Sequence, residues 1–522
     1  MRQPARVKGQ SLRGKVSGSQ SFPPPVGGWN AKDALAVMKP TDAIVLNNWF
    51  PRTSYVEMRG GSLDTATGMT GTGKTLAVYN KLDGTTEMYA TTESGVYNVS
   101  VAGAVGASKA ARTNGKHQWT NFGDGTSNYL IMLNGVDKPL YYDGTTWLAV
   151  DAATSPALIG VATTELISMN IHKGRLFFIQ KNSLSVWYLP SGVAGGTLTR
   201  FFFDGVVKEG GYLMAMATWT VDAGNGPDDR AVFITSEGEV LIYAGTNPSV
   251  AADWSLVGVF KIGDPLGRRC VSKLGGDLLI ITQNGIFPMG AALQSAEIDY
   301  KLAISFKIEN AFNEASRSYG ANFGWKAQLF PDQSALIVNI PILENGTHEQ
   351  YVMNTITKSW CRFTNWNAED FTVYNNELYY VSGNKVTKAW TGFGDNGANI
   401  EAYGKTAFSY FGNFAETKKY KMFKPVLAVN GNLQFLTDID VDYRDEPING
   451  SAIYTVTSGG VWDGSNWDSA YWAAGLEVVQ YWTSPSAYSG RCAAGKIKID
   501  NNKLTVQWLA CDYIYETGSL LG

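Results

Sequence analysis

The chain has 522 residues, of which 44% are hydrophobic and only 17% charged, and its formal net charge is −3. That length suits two to four ordinary domains, or one large repeat architecture with an added module. The near-neutral balance excludes a generic nucleic-acid binder that covers phosphate with Lys and Arg.

Glycine (57 residues), tyrosine (26) and tryptophan (16) are plentiful. Aromatics favour pleated surfaces and glycine supplies positive φ, so the composition reads as strands joined by tight turns. Residues 1–32 hold Arg2, Arg6, Lys8, Arg13, Lys15 and Lys32 and no acidic residue. With their Gly, Ser and Pro content they read as an extended basic arm. Arg2, Arg6, Lys8, Arg13 and Lys15, with Phe22 and Trp29 as anchors, form a candidate arm for docking on another subunit. No apolar h-region is present, so no signal peptide is expected, and no apolar run is long enough for a membrane span. A short helix is expected around residues 31 to 38, stopped by Pro40.

"GMTGTGKT", residues 68 to 75, fits the phosphate-cradling pattern G-x-x-x-x-G-K-[ST]. That pattern requires a buried strand before it and a helix beginning at its Lys. Upstream stands the polar "RGGSLDTA", and downstream "LAVYNKLDGTT" breaks at Asp83-Gly84, a tight-turn signal. The segment therefore reads as a polar loop before a strand, and no nucleotide site is expected.

From residue 85 to about 390, short apolar runs recur between turn signals: "EMYATT", "YLIML", "RLFFIQ", "AVFITS", "DLLIITQ", "ALIVNI", "ELYYVS". The chain carries eight Asn-Gly and five Asp-Gly pairs, the dipeptides of type I′ hairpins. Many successive hairpins without intervening helices predict an all-β β-propeller of about five to seven blades. One interruption, residues 291 to 315, places Leu293, Tyr300, Ile304, Ile308 and Phe312 on a helical stripe, and one long helix is expected there. The expected division is thus an arm over 1–32, a propeller over 33–400 and a C-terminal β-domain over 401–522.

In the last region Asp438, Asp440 and Asp442 alternate with Thr437, Ile439, Val441 and Tyr443, which predicts a strand with one carboxylate face. Trp462, Trp467 and Trp472 follow at five-residue spacing. Cys270, Cys361, Cys492 and Cys511 lie far apart without a C-x-x-C pair, so buried free thiols in a reducing cytosol are expected rather than a zinc site or a disulfide framework. His117, His172 and His348 stand in turn-like settings with no readable triad. "YYDGTTW" does not keep the spacing of the sialidase Asp-box. No catalytic residue, metal site or cofactor is expected, and the chain reads as a non-enzyme.

"PPPVGGWNAKDALAVMKPTDAIVLNNWFPR", residues 23 to 52, resembles the opening of tail proteins from short-tailed, podovirus-type bacteriophages. "KTAFSYFGNFAETKKYKMFKPVL" (405 to 427), "WDSAYW" and the terminal "YETGSLLG" resemble later segments of the same group, with Lys424-Pro425 where that group has Arg-Pro. The resemblance brackets nearly the whole chain. It implies a tail hub or nozzle protein: a β-propeller assembling as a homohexamer below the portal and adaptor ring, in contact with tail fibres or spikes. Such a ring continues the channel that retains and ejects double-stranded DNA. The implied location is the virion tail, after assembly in the host cytoplasm. On that reading the basic arm meets the adaptor or portal, and the Asp438, Asp440 and Asp442 face lines the lumen. The alternative from the aromatic abundance is a tail-associated carbohydrate-binding or receptor-recognition propeller.

Overall fold

The computed structural model describes residues 17–222, 227–292, 299–431, 433–448, 476–486 and 489–518. The fold is all-β with few helices, and its first module is a β-propeller.

Seven successive antiparallel sheets build the propeller. The first blade is Thr75–Asn80, Thr86–Thr91 and Val96–Asn98, and the second Gln118–Gly123, Asn128–Leu133, Leu140–Tyr142 and Trp147–Ala149. The third is Leu166–His172, Arg175–Gln180, Ser185–Tyr188 and Thr199–Phe202, and the fourth Leu213–Asp222, Pro227–Thr235, Glu239–Ala244 and Ser255–Lys261. The fifth is Val271–Leu274, Asp277–Thr282 and Gly285–Pro288, and the sixth Lys326–Phe330, Ala335–Pro341, His348–Asn354 and Trp360–Phe363. The seventh is Asp370–Tyr374, Glu377–Ser382 and Lys385–Ala389, completed by Ser62–Thr67 from the start of the module.

The first strands of successive blades touch one another around the ring, the fourth blade meeting the fifth through Asp277–Thr282, and the seventh returns to the first. The outer strand of the last blade therefore comes from the beginning of the chain, which closes the ring without a free seam. Turn chemistry sets the hairpins: Gly84 and Gly135 of the Asp-Gly and Asn-Gly pairs have φ of 81° and 74°, values that side-chain-bearing residues seldom adopt.

The second module is a sandwich made from both ends of the chain. One sheet has the order Glu477–Gln480, Lys418–Val429, Val506–Thr517, Val56–Met58, Trp49–Pro51, with Ser17–Phe22 also paired to Val506–Thr517. The other continues the sixth blade directly through Asp42–Asn47, Ile400–Thr406, Ala493–Asn501 and Phe435–Val441. Trp49 and Trp508 meet between the sheets with ring centroids 5.7 Å apart. Gly404 makes this possible, since a Cβ there would lie 2.6 Å from the Trp508 ring.

The expected domain division is redrawn accordingly. The propeller runs from Ser62 to Ala389, while residues 17–58 belong to the sandwich and not to an arm or a blade. The long helix over 291 to 315 is also corrected. The described part is a short turn at Met289–Ala292, 3₁₀ turns at Tyr300–Leu302 and Phe306–Ile308, and a helix at Glu309–Tyr319. Its continuity is broken because Ile304 N–H donates to Ile286 O (2.9 Å) and Ile286 N–H to Ser305 Oγ (3.1 Å), tying 304–305 to a blade strand. Residues 31 to 38 form turns in place of the expected helix: Asn30 Oδ1 accepts from the N–H groups of Lys32 and Asp33 (3.1 and 3.0 Å).

Candidate functional site

Gly68 to Thr75 leads into a strand, the innermost one of the first blade. Four of its amide donors have acceptors within the chain. Met69 N–H donates to Asn384 O (3.1 Å), Gly73 N–H to Gly383 O (2.7 Å) and Lys74 N–H to Thr91 O (2.8 Å). Thr72 N–H donates to both oxygens of Glu93 (3.1 Å each). Lys74 Nζ lies 2.9 Å from Glu369 and 3.7 Å from Glu344. A phosphate would have to displace carbonyls and sit among three carboxylates, so this geometry holds the ring closed and does not cradle an anion.

The carboxylate strand is not a solvated wall. Asp438 and Asp440 are each 1% exposed. Asp440 lies 2.7 Å from Lys405 Nζ and 2.6 Å from Lys496 Nζ. Asp438 Oδ1 accepts from Ser486 N–H at 2.9 Å. Asp442 is exposed, has φ of 50°, and accepts from Arg491 N–H at 2.7 Å. The expected lumen face is therefore corrected. The cations that neutralise the row come from neighbouring strands, and segment 443–448 with Ser486 closes over it.

Of the candidate docking arm, Arg2, Arg6, Lys8, Arg13 and Lys15 lie outside the described residues, as do Trp462, Trp467 and Trp472. Phe22 and Trp29 are internal anchors. Phe22 meets Phe411 and Tyr513 edge-on at 5.2 and 5.7 Å. Trp29 meets Tyr351 at 5.1 Å. Trp29 is buried in the joint with the sixth blade and Phe22 is partly buried in the sandwich, so both pack chiefly within their own chain.

The residues around that joint are densely bonded. Asn48, at φ 58°, donates through Nδ2 to Thr364 Oγ1 (2.8 Å) and Glu401 O (2.7 Å) and accepts from Arg59 Nε (2.9 Å). Arg59 is fully buried and donates from Nη1 and Nη2 to the two oxygens of Asp395 (3.0 and 2.7 Å). This two-pronged geometry is the most directional ion pair available to a side chain. Gly28 (φ 84°) lies where a Cβ would come within 2.5 Å of Trp360 O.

All four cysteines are buried thiols, and burial pushes the Cys270 thiol up to about 12. His117, His172 and His348 are buried rather than turn-exposed. Burial pushes the His117 imidazole down to about 4, leaving it neutral. Among the described residues no group of three or more His, Cys, Asp or Glu side chains is placed to hold a metal, and no helix is long and apolar enough to cross a membrane.

Sequence reasoning missed the centre of the ring. The inner strands surround a funnel of about 470 Å³. Arg269 reaches across one mouth from the fifth blade. Its Nη2 donates to Thr75 Oγ1 (2.7 Å) and His117 O (3.0 Å), and Nη1 lies 3.2 Å from Asp370 Oδ1. Lys326 Nζ lies 2.9 Å from the same oxygen. Burial holds both Arg269 and Lys326 below their ordinary ranges, with Asp370 acting in the opposite sense. Arg268 and Lys273 complete the basic lining, against Met169, Met216 and Leu278 on the apolar side. The available signal was the alternation of Arg269, Val271 and Lys273 in "GRRCVSKL".

No family model and no curated protein matches the chain. Solved structures similar to it include BBS1N in complex with ARL6DN, at 12% identity and TM-score 0.41 over 65% of this chain and 100% of that one. They also include the Cps50 (Swd1) β-propeller domain of Myceliophteria thermophila, at 12% and 0.38 over 63% and 99%. A third is YCF48 bound to D1 peptide, at 9% and 0.37 over 68% and 99%. Likenesses of this degree say nothing about function, and the propeller assignment rests on the strand pairing described above.

Proposed function

We propose that this chain is a structural virion protein, the hub or nozzle subunit of a short-tailed phage tail. On this reading it forms a homohexameric ring below the portal and adaptor and holds fibres or spikes, and its chemistry is architectural rather than enzymatic. The observation that carries the reading is where the residues bearing the resemblance lie. Segment 23–52 supplies Gly28, Trp29, Asn48, Trp49 and Phe50, which are buried where the propeller and the sandwich join. A subunit that transmits load between neighbours needs its modules fixed to one another. A continuous sheet with a buried Asn48–Arg59–Asp395 network provides that stiffness.

The DNA path on this reading lies between copies. The funnel of about 470 Å³ is an equivalent sphere about 10 Å across, whereas the major groove of a duplex alone is about 12 Å wide. The test is the mass of the purified protein in solution, alone and mixed with its portal–adaptor complex. The expected result is a monomer that becomes a six-fold ring on that platform. A stable monomer that ignores the platform and binds surface polysaccharide would overturn the reading in favour of receptor recognition.

A further inference from the structure

We propose that the central funnel of the propeller is a binding site for a small multivalent anion bearing phosphate or carboxylate groups. The volume, about 470 Å³, lies within the range of small-molecule sites. Four cations face it, Arg268, Arg269, Lys273 and Lys326, against the single carboxylate of Asp370. Its histidine, His117, is held neutral by burial and adds no charge.

The positive charge is under-compensated at particular atoms. Arg269 and Lys326, largely withdrawn from solvent, share one oxygen of Asp370 at 3.2 and 2.9 Å; Lys326 Nζ also donates to Phe371 O at 2.5 Å, but two cations still lean on one carboxylate. Among the described residues Arg268 makes one long hydrogen bond, Nη1 to Asn134 O at 3.4 Å. Lys273 is exposed and makes no ion pair among the described residues. It lies on the strand Val271–Leu274, four residues beyond Arg269, which stands in the turn leading into that strand. An anion entering by the Lys273 mouth meets a free ammonium first and the under-compensated Arg268–Arg269–Lys326 group at depth. Within low-dielectric walls such contacts are charge-assisted and stronger than at an open surface.

The funnel differs from the "GMTGTGKT" loop in this respect, since there the one cation, Lys74, is paired with Glu369 and Glu344. The inference is independent of the tail reading, and either can fail alone. The test is isothermal titration of the full chain at low ionic strength with tripolyphosphate and, separately, citrate. Saturable one-to-one binding is expected. Lys273→Gln and Arg268→Gln should each weaken it about tenfold or more, the loss of one charge-assisted contact, without lowering the melting temperature. Lys109→Gln, on an exposed loop away from the funnel, should leave it unchanged. Preference between the two probes assigns phosphate or carboxylate as the natural group. No saturable binding of either probe, or equal weakening by Lys109→Gln, would overturn the proposal.

Discussion

Lys74 is held 2.9 Å from Glu369, with the two side chains 7% and 2% exposed. The other Glu369 oxygen accepts from Asn345 N–H at 2.6 Å. Removing the ammonium strands a buried carboxylate, so Lys74→Met is expected to cost about 3 kcal/mol in urea denaturation. The unmodified chain is expected to retain no ATP in equilibrium dialysis. Micromolar retention lost in Lys74→Met would restore the nucleotide reading. His117 gives a pH signature. Its folded pKa is depressed from 6.5 to about 4, so between those values the unfolded chain binds more protons than the folded one. Its contribution is complete above the unfolded pKa and is lost as pH falls through the window, amounting to about 3 kcal/mol. Urea midpoints measured from pH 7 to pH 4 should fall less steeply for His117→Gln than for the unmodified chain. Equal slopes would place the neutral imidazole elsewhere in the balance.

At the scale of elements, strand Ser62–Thr67 decides whether the ring closes. Ala66 is fully buried and pairs with Val386 on one side and Gly103 on the other. A proline there cannot donate to a ladder and does not belong between two strands. Ala66→Pro is expected to lower the melting temperature and to split a single calorimetric transition into two as the ring opens. An unchanged thermogram would show that closure adds little. The turns were readable one pair at a time: Asp83-Gly84 and Asn134-Gly135 sit in hairpins because both dipeptides tolerate positive φ. The helix over 291 to 315 was misread because Leu293, Tyr300, Ile304, Ile308 and Phe312 keep helical spacing, while the hydrogen bonds that interrupt it come from Ile286 on a blade strand. Local periodicity does not report such a partner.

For the whole molecule, the joint between modules sets what can be removed. A chain starting at residue 17 keeps every described strand and is expected to melt like the full chain. A chain starting at residue 33 loses Ser17–Phe22 from its pairing with Val506–Thr517, and with it Trp29. The buried tryptophan alone is worth about 3 kcal/mol or more. Thermal unfolding of the two truncations separates these contributions. Their attachment to phage heads tests the basic arm: on the tail reading the chain starting at 17 folds but does not attach. Normal attachment by that chain would remove the arm from the docking surface.

The sequence by itself determined that this protein is built of strands, that its hairpins turn at Asp-Gly and Asn-Gly, and that "GMTGTGKT" lacks the context of a nucleotide loop. Each of these depends on residues close together in the chain, where spacing and backbone preference carry the information. The tertiary structure alone decided that the ring closes through Ser62–Thr67, and that both chain ends build one sandwich. It alone also decided that Asp440 is buried beside Lys405 and Lys496, and that Arg268, Arg269, Lys273 and Lys326 converge on one funnel. Those features join residues tens to hundreds of positions apart. Alternation shows that a residue shares a strand face with its second neighbours, but burial and charge pairing are set by whichever strand folds against that face.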